Sequence, residues 1–273
     1  MIYDKINVLD HGYVELIDRM GSDEKICSAA RMSYTSNNEK TFTDAENRRL
    51  LRYLLRNAHT SPFEMAELQF RVKAPIFVAR QWLRHRTANV NEASGRYSIL
   101  PTDTYLPDTL RVRTQSKDNK QGSSTEIHEN VECILQTIGT SFDESAATYN
   151  WLNQEGIAKE LSRIVLPLST YTDFVWKIDL HNFMHFCRLR MDYHAQEEIR
   201  VYAQAMYDIA KKYYPMVMEA FDDYILHAKR FSRQEIEVLL DTLGPEGVQK
   251  AIEAFGSVVE SKTELREFES KLR

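Results

Sequence analysis

Leu68-Gln69-Phe70-Arg71-Val72-Lys73-Ala74-Pro75-Ile76-Phe77-Val78-Ala79-Arg80-Gln81-Trp82 changes its hydrophobic period once, and that change decides how the chain is built. Leu68, Phe70 and Val72 alternate with Gln69, Arg71 and Lys73, the two-residue rhythm of a strand with one buried face. Pro75 then suits the first position of a helix, where the missing N–H would have no partner in any case. Ile76, Phe77, Val78, Trp82 and Leu83 supply the buried side of a helix predicted to reach about Arg86 and to end near Asn89 to Asn91. On such a helix Arg80 and Arg84 share a face, with Gln81 and His85 along the adjacent row.

Upstream, Ile6 to Met20 alternates weakly and predicts one or two strands, and Asp23 is placed to cap a helix running to about Ser33. Thr43-Asp44 opens a stronger helix, with Leu50, Leu51, Leu54 and Leu55 at helical spacing, and Ser61-Pro62-Phe63-Glu64 breaks the chain before the strand. Downstream, Pro101 to Ser124 is polar and turn-rich and predicts a surface loop centred on Lys117 to Ser123. Thr125 to Asn153 reads as a long helix with an interruption near Gly139, Ala158 to Val165 as a short helix, and Thr170 to Ile178 as an aromatic strand. His181 to Met191 and Ala195 to Tyr214 are helical in period. After Pro215 come short charged helices, Ser232 to Leu243, Pro245 to Phe255 and Thr263 to Leu272, which have the character of an appendage.

The strongest chemical signal follows directly on the strand and helix. Arg80 to Ser98 holds four arginines, a histidine, a glutamate and two serines, with Arg84-His85-Arg86 followed after seven residues by Ser94. Guanidinium forks grip phosphate oxygens, and a turn rich in Asn, Ser and Gly offers backbone N–H groups to the same anion. From Arg71 to Arg96 there are six basic residues and one acid, although the whole chain carries a net charge of −5. A cationic pocket on an anionic protein suits a small phosphorylated guest better than a long polyanion. RNA binding through this patch is the alternative, and the acidic total and lack of a stacking-aromatic motif weigh against it. A nucleotide-binding protein without catalysis is the other alternative. Arg163, inside the apolar run to Pro167, and Arg190, closing an apolar helix, need partners if buried; a buried ion pair would account for either one, and an anionic ligand in one shared pocket for both.

His181 and His185 stand four apart, but Asn182 occupies the place where a zinc-protease helix carries Glu, so the metal-ligand set is incomplete. Cys187 lies about 200° round the helix from His185, which speaks against a thiolate–imidazole pair. Ser94 has no adjacent base and reads as a phosphate ligand, not a nucleophile. Neither G-x-G-x-x-G nor G-x-x-x-x-G-K-[ST] occurs, so side chains and irregular loops would have to hold any dinucleotide. Three unpaired cysteines, no apolar N-terminal leader and no run of roughly 20 apolar residues predict a cytoplasmic chain with no membrane span.

With these residues assembled, the chain resembles the flavin-dependent thymidylate synthases. Their hallmark, R-H-R and seven residues to Ser, is met by Arg84-His85-Arg86 and Ser94. The likeness continues through Asn91 to Ser98, the approach Lys73 to Trp82, R-I-V-L-P-L at Arg163 to Leu168, and H-A-Q-x-E-I from His194 to Ile199. The resemblance implies an α/β fold of the α+β type, a central, mainly antiparallel sheet flanked by helices. The resemblance spans about residues 6 to 220 and implies a catalytic domain over residues 1–226, with residues 227–273 as a helical C-terminal extension. It implies reductive methylation of dUMP to dTMP, with FAD as cofactor, methylenetetrahydrofolate as carbon donor, NADPH as reductant, and a homotetramer with shared sites. Ser61, Arg84, His85, Arg86 and Glu92 match flavin-contacting positions, and His59 matches a histidine at the flavin and folate face. Asp179, His181 and His185 align with a further flavin-contacting group, where some members carry Asn, Arg and Asn. Gln81, Arg84, Glu92, Ser94, Gly95, Arg96 and Arg163 match nucleotide-contacting positions. Arg190 matches the arginine that binds the pyrimidine and favours its ionisation at N3.

Overall fold

The chain opens on a hairpin of β1 (Lys5–Val8) and β2 (Gly12–Met20). α1 (Asp23–Arg31) follows; Ser22 Oγ accepts from the Lys25 N–H at 3.3 Å, so Asp23, expected as the cap, instead lies buried inside the first turn. α2 (Asp44–Arg56) starts from a capping box in which Thr43 and Glu46 each satisfy the other's backbone N–H. A 3-10 turn at Ser61–Met65 leads into β3 (Glu67–Pro75), α3 (Ile76–Trp82) and β4 (Ala88–Glu92). A hairpin of β5 (Arg113–Gln115) and β6 (Ser123–Ile127) precedes α4 (Val131–Gln154) and the short α5 (Lys159–Ser162). β7 (Tyr171–Asp179), α6 (Leu180–Arg190), α7 (Glu197–Tyr213), α8 (Pro215–Phe221), α9 (Arg233–Gly256) and α10 (Lys262–Lys271) complete the order. This computed structural model describes residues 4–33, 41–117 and 120–272. Among those residues no helix is long and apolar enough to cross a membrane.

The chain divides into two units, Met1–Ala29 with Ser61–Pro215, and Ala30–Thr60 with Met216–Arg273. The first is built on a five-stranded sheet in the order β1-β2-β3-β7-β4, every pair antiparallel. β3 and β7 form its centre, in register from Glu67 opposite Asp179 to Pro75 opposite Tyr171. The alternation seen in the sequence sets the buried face: Leu68, Phe70, Val72 and Ala74 of β3, and Phe174, Trp176 and Ile178 of β7, are shut from solvent. Helices α3, α6 and α7 cover that face. Trp82 is the hub, its ring 4.9 Å from Phe186, 5.4 Å from Phe174 and 5.5 Å from Trp176. Each such large side chain contributes about 1.5–3 kcal/mol by leaving water. The hydroxyl of Tyr202, on α7, donates to the Lys73 carbonyl at 2.7 Å and passes over Gly12, where a Cβ would lie 1.9 Å from that oxygen.

In the second unit, α2 is held by ion pairs. Arg56 bonds Glu267 at 2.6 Å, and Arg52 meets Asp223 at 2.5 Å and Glu264 at 3.6 Å. α9 comprises the two helices expected there, parted at Gly244, which leaves helical geometry at φ 62° just before Pro245. Phe255 of α9 and Phe268 of α10 close the helical pair, ring centroids 4.3 Å apart.

Several local expectations are corrected. α3 stops at Trp82, and Arg84, His85 and Arg86 lie beyond it, so Arg80 and Arg84 share no helix face. The reason is competition from the sheet: Ala88 to Glu92 pairs with Ile178 to Phe174 of β7, and the chain must leave the helix to reach that edge. Pro75 ends β3 and caps α3 rather than opening it from within. Of the Pro101 to Ser124 loop, the part from Arg113 onward forms the β5–β6 hairpin, pinned by the Gln115 side chain on the Gly122 carbonyl at 2.8 Å and by Thr114 against Ser124 at 2.7 Å, while Pro101 to Val112 remains loop with a 3-10 turn at Thr109–Arg111. Asp118 and Asn119, at its expected centre, lie outside the described residues. Thr125 to Ile127 therefore belong to β6, and α4 begins at Val131 and passes Gly139 without a break.

Candidate active site

The chain leaves α3 through two backbone bonds, Leu83 N–H to Ala79 O at 2.9 Å and His85 N–H to Trp82 O at 3.0 Å. Arg84-His85-Arg86 consequently stands in an irregular turn between α3 and β4. Arg84 and Arg86 are exposed; His85 is half-buried, its ring 5.0 Å from Phe186. Arg190, the last residue of α6, meets this turn. Its Nε donates to His85 Nε2 at 3.0 Å and its Nη2 to the Gln81 carbonyl at 3.1 Å. Guanidinium only donates, so His85 Nε2 accepts and its proton sits on Nδ1. Burial first, and then the neighbouring Arg190 and His185, push the His85 pKa down to about 4. Burial and the nearby Arg84 likewise lower that of Arg190. The Gln81 side chain bonds Gln196, at the start of α7.

At the other end of β4 a second cluster forms. Glu92 Oε1 accepts from Thr172 Oγ1 of β7 at 2.6 Å, and the Ala93 N–H bonds the Asp173 carbonyl at 2.9 Å. The chain then turns tightly, with the Tyr97 N–H on the Ser94 carbonyl at 3.1 Å and the Arg96 N–H on Ser94 Oγ at 3.3 Å. Gly95 is buried in this turn: a Cβ there would lie 2.8 Å from Leu100 Cδ1 and 3.1 Å from Arg163 Cδ. The stem of Arg163 thus packs on the glycine backbone, which joins two sequence blocks some seventy residues apart. Lys159 Nζ ties the turn down by donating to the Tyr97 carbonyl at 3.0 Å. Arg96 makes an exposed contact with Glu160 at 3.4 Å, of a kind worth little energetically. The five residues of β4 set the two clusters about 14 Å apart along the strand.

The structure therefore brings Gln81, His85 and Arg190 into direct contact, and Ser94, Gly95, Arg96 and Arg163 into a second group, with Glu92 between them on β4. His185 approaches His85 at 5.9 Å between ring centroids, and its pKa is lowered by burial, Arg188 and His181. Asp179 caps α6, accepting from the Asn182 N–H at 2.9 Å and its side-chain amide at 2.7 Å. Ser61 is exposed at the start of the 3-10 turn. His59 belongs to the second unit, exposed, its ring edge-on to Tyr53 at 5.7 Å. Thr172 and Gln196 were not foreseen. Thr172 carries a legible signal, a polar residue in phase with the buried row Phe174, Trp176 and Ile178; Gln196 lies within the His194 to Ile199 block but bears no chemical mark of its role.

Residues 15–216 match the family described as thymidylate synthase complementing protein. A flavin-dependent thymidylate synthase of Thermus thermophilus is 47% identical over 251 residues, 92% of this chain and 90% of its relative. That of Ehrlichia ruminantium is 46% identical over 251 residues, 92% and 84% of the two chains. One from Dictyostelium discoideum is 44% identical over 243 residues, 86% and 79% of the two. Among solved structures, a UMP/dUMP methylase, PolB from Streptomyces cacaoi, bound with 5-Br dUMP, is similar with a TM-score of 0.74 and 32% identity. The likeness covers 81% of this chain and 99% of that one. The same methylase bound with 5-Br UMP gives a TM-score of 0.72 at 31% identity, over 81% and 98%. The blocks that converge on β4 all fall inside the matched span, and with identities of 44–47% across most of the sequence this chain belongs to the flavin-dependent thymidylate synthase family.

Proposed function

We propose that this chain methylates dUMP at C5 to give dTMP, with methylenetetrahydrofolate as carbon donor, NADPH as reductant, FAD as cofactor and no protein nucleophile. The observation that carries the proposal is positive charge without compensation. Among the described residues Arg84, Arg86, Arg163 and Arg190 have no carboxylate partner, whereas Arg71 and Arg111 are held by Asp173 and Glu198. Such guanidinium groups are built for a phosphorylated guest. A pyrimidine nucleotide laid along β4 would meet Ser94, Gly95, Arg96 and Arg163 at its phosphate and Gln81 and Arg190 at its base, with Arg84 and Glu92 facing both ligands. The 5-Br dUMP bound to the Streptomyces methylase supports that choice of guest.

The donor set also fits FAD. Exposed Arg84, Arg86 and Ser61 offer donors for its phosphates, and His85 Nδ1–H has no acceptor among the described residues. We assign to the same task Glu92, Asp179, His181 and His185. When bound and reduced, the flavin supplies a hydride. Arg190 stabilises the negative charge that N3 ionisation places on the pyrimidine, which raises the reactivity of C5. Burial pushes the Cys187 thiol well above its usual pKa, so the one cysteine on α6 offers no thiolate to attack C6.

We further propose that residues 1–226 form the catalytic domain and 227–273 an extension, and that the protein works in the cytoplasm as a homotetramer with shared sites. Tyr97, Ile99, Leu161, Ile164 and Leu168, on the segments that carry the phosphate cluster, are exposed apolar groups that other copies would cover. All three cysteines are free, as a reducing compartment would keep them. Light scattering on the purified protein should give four chains per particle. The function itself is tested by an anaerobic assay with dUMP, methylenetetrahydrofolate, FAD and NADPH: dTMP should form. A protein that binds dUMP tightly yet yields no dTMP would leave only a nucleotide-binding role.

A further inference from the structure

We propose that His85 is a positioning residue for Arg190: its Nε2 holds one edge of the guanidinium so that the opposite edge faces the pyrimidine. The inference rests on the reading of Arg190 as the group that binds the base. A guanidinium is planar and presents its protons along defined edges. The Nε proton and the adjacent Nη2 proton lie on one edge, and both are taken, by His85 at 3.0 Å and by the Gln81 carbonyl at 3.1 Å. The outer edge, Nη1 with the second Nη2 proton, meets no protein acceptor among the described residues. It offers two parallel N–H groups. A uracil that has lost its N3 proton presents the complement, N3 and a neighbouring carbonyl oxygen, so a bidentate contact forms with the ionised ring and only a poorer one with the neutral ring.

Two tethers fix the plane of the group; one alone lets it swing. Of the two, the Gln81 carbonyl is backbone and always an acceptor, whereas His85 accepts only as the neutral Nδ1–H tautomer. The surroundings enforce that state. Arg190 and His185 from α6 face the ring, Arg188 lies 3.4 Å from His185, and the Phe186 ring packs against it. Arg84, next in sequence, adds positive charge near Arg190. One nitrogen of His85 thereby orients the arginine, and the other remains free to donate to a ligand.

The test uses FAD-loaded protein and 5-bromo-dUMP as probe, with affinity from calorimetry and ring ionisation from the ultraviolet difference spectrum, at equal flavin occupancy. His85→Ala should weaken binding about ten- to a hundred-fold, the loss of one hydrogen bond to a charged group, and should raise the pKa of the bound ring. His85→Gln places an acceptor where Nε2 stood and should recover most of both effects. The double variant His85→Ala/Arg190→Ala should bind no worse than Arg190→Ala alone. The inference is overturned if the two single effects multiply, if His85→Gln is as impaired as His85→Ala, or if His85→Ala sheds flavin while binding the probe normally. Failure of the unaltered protein to bind the probe would instead overturn the nucleotide reading, and this inference with it.

Discussion

Protonating His85 removes the lone pair that holds Arg190, so both the site and the fold answer to pH through this imidazole. Its pKa is about 4 when folded against 6.5 unperturbed, so the unfolded chain binds more protons between those values. The His85 contribution to stability is therefore complete above about pH 6.5 and declines as pH falls towards 4. Denaturant titrations at pH 7 and pH 5 should show that loss, and His85→Gln should flatten the slope; an unchanged slope would mean that the imidazole charges freely. Gly95 acts through space rather than charge. Gly95→Ala pushes on Leu100 Cδ1, which can swing aside, and on the Arg163 stem, which cannot move without shifting its guanidinium. The expected result is a several-fold weaker affinity for dUMP with a thermal midpoint lowered by only about 2–4 °C, the size of a loss of about 1 kcal/mol, since Leu100 can give way.

At the level of elements, the most consequential contact is Tyr202 crossing Gly12 to reach the Lys73 carbonyl, which ties α7 to β3. Gly12→Ala puts a methyl group where that hydroxyl sits, and should cost about 2–4 kcal/mol through overpacking and a broken buried hydrogen bond; a loss under 1 kcal/mol would show that α7 has room to shift. The elements differ in how plainly the sequence announced them. β3, β7, α6 and α7 were legible because each carries apolar residues at its own period, as in Leu68, Phe70 and Val72. β4 was not, because Ala-Asn-Val-Asn-Glu lies on the sheet edge with Asn89, Val90, Asn91 and Glu92 all exposed, so no burial pattern marks it. The β5–β6 hairpin was hidden for a related reason: polar side chains such as Gln115 and Thr114 close it. In the site, Arg84 to Arg86, Ser94 to Arg96 and Arg190 stood out by residue type, whereas Thr172 and Gln196 emerged only as hydrogen-bond partners.

Across the whole molecule, two units use different cohesion. The first relies on a sheet with aromatic packing around Trp82; the second leans on ion pairs, with Arg56 and Glu264 nearly buried. Glu264 also accepts from Tyr224 and lies 3.6 Å from Arg52. Glu264→Ala should destabilise the protein by about 1–3 kcal/mol, less than a fully buried pair because Arg52 retains Asp223 and Arg56 retains Glu267. A melting curve unchanged by that substitution would show that the helices of this unit are held by their apolar contacts alone. The nucleotide-binding account depends on the first unit, where, among the described residues, Arg84, Arg86 and Arg190 at one end of β4 and Arg163 at the other have no carboxylate partner. Its most direct test is a crystal structure of the protein with FAD and 5-bromo-dUMP. The account predicts one nucleotide along β4, with Arg163 within hydrogen-bonding distance of its phosphate and the free edge of Arg190 on its ring. A nucleotide bound elsewhere, or one touched by only one of these arginines, would contradict it.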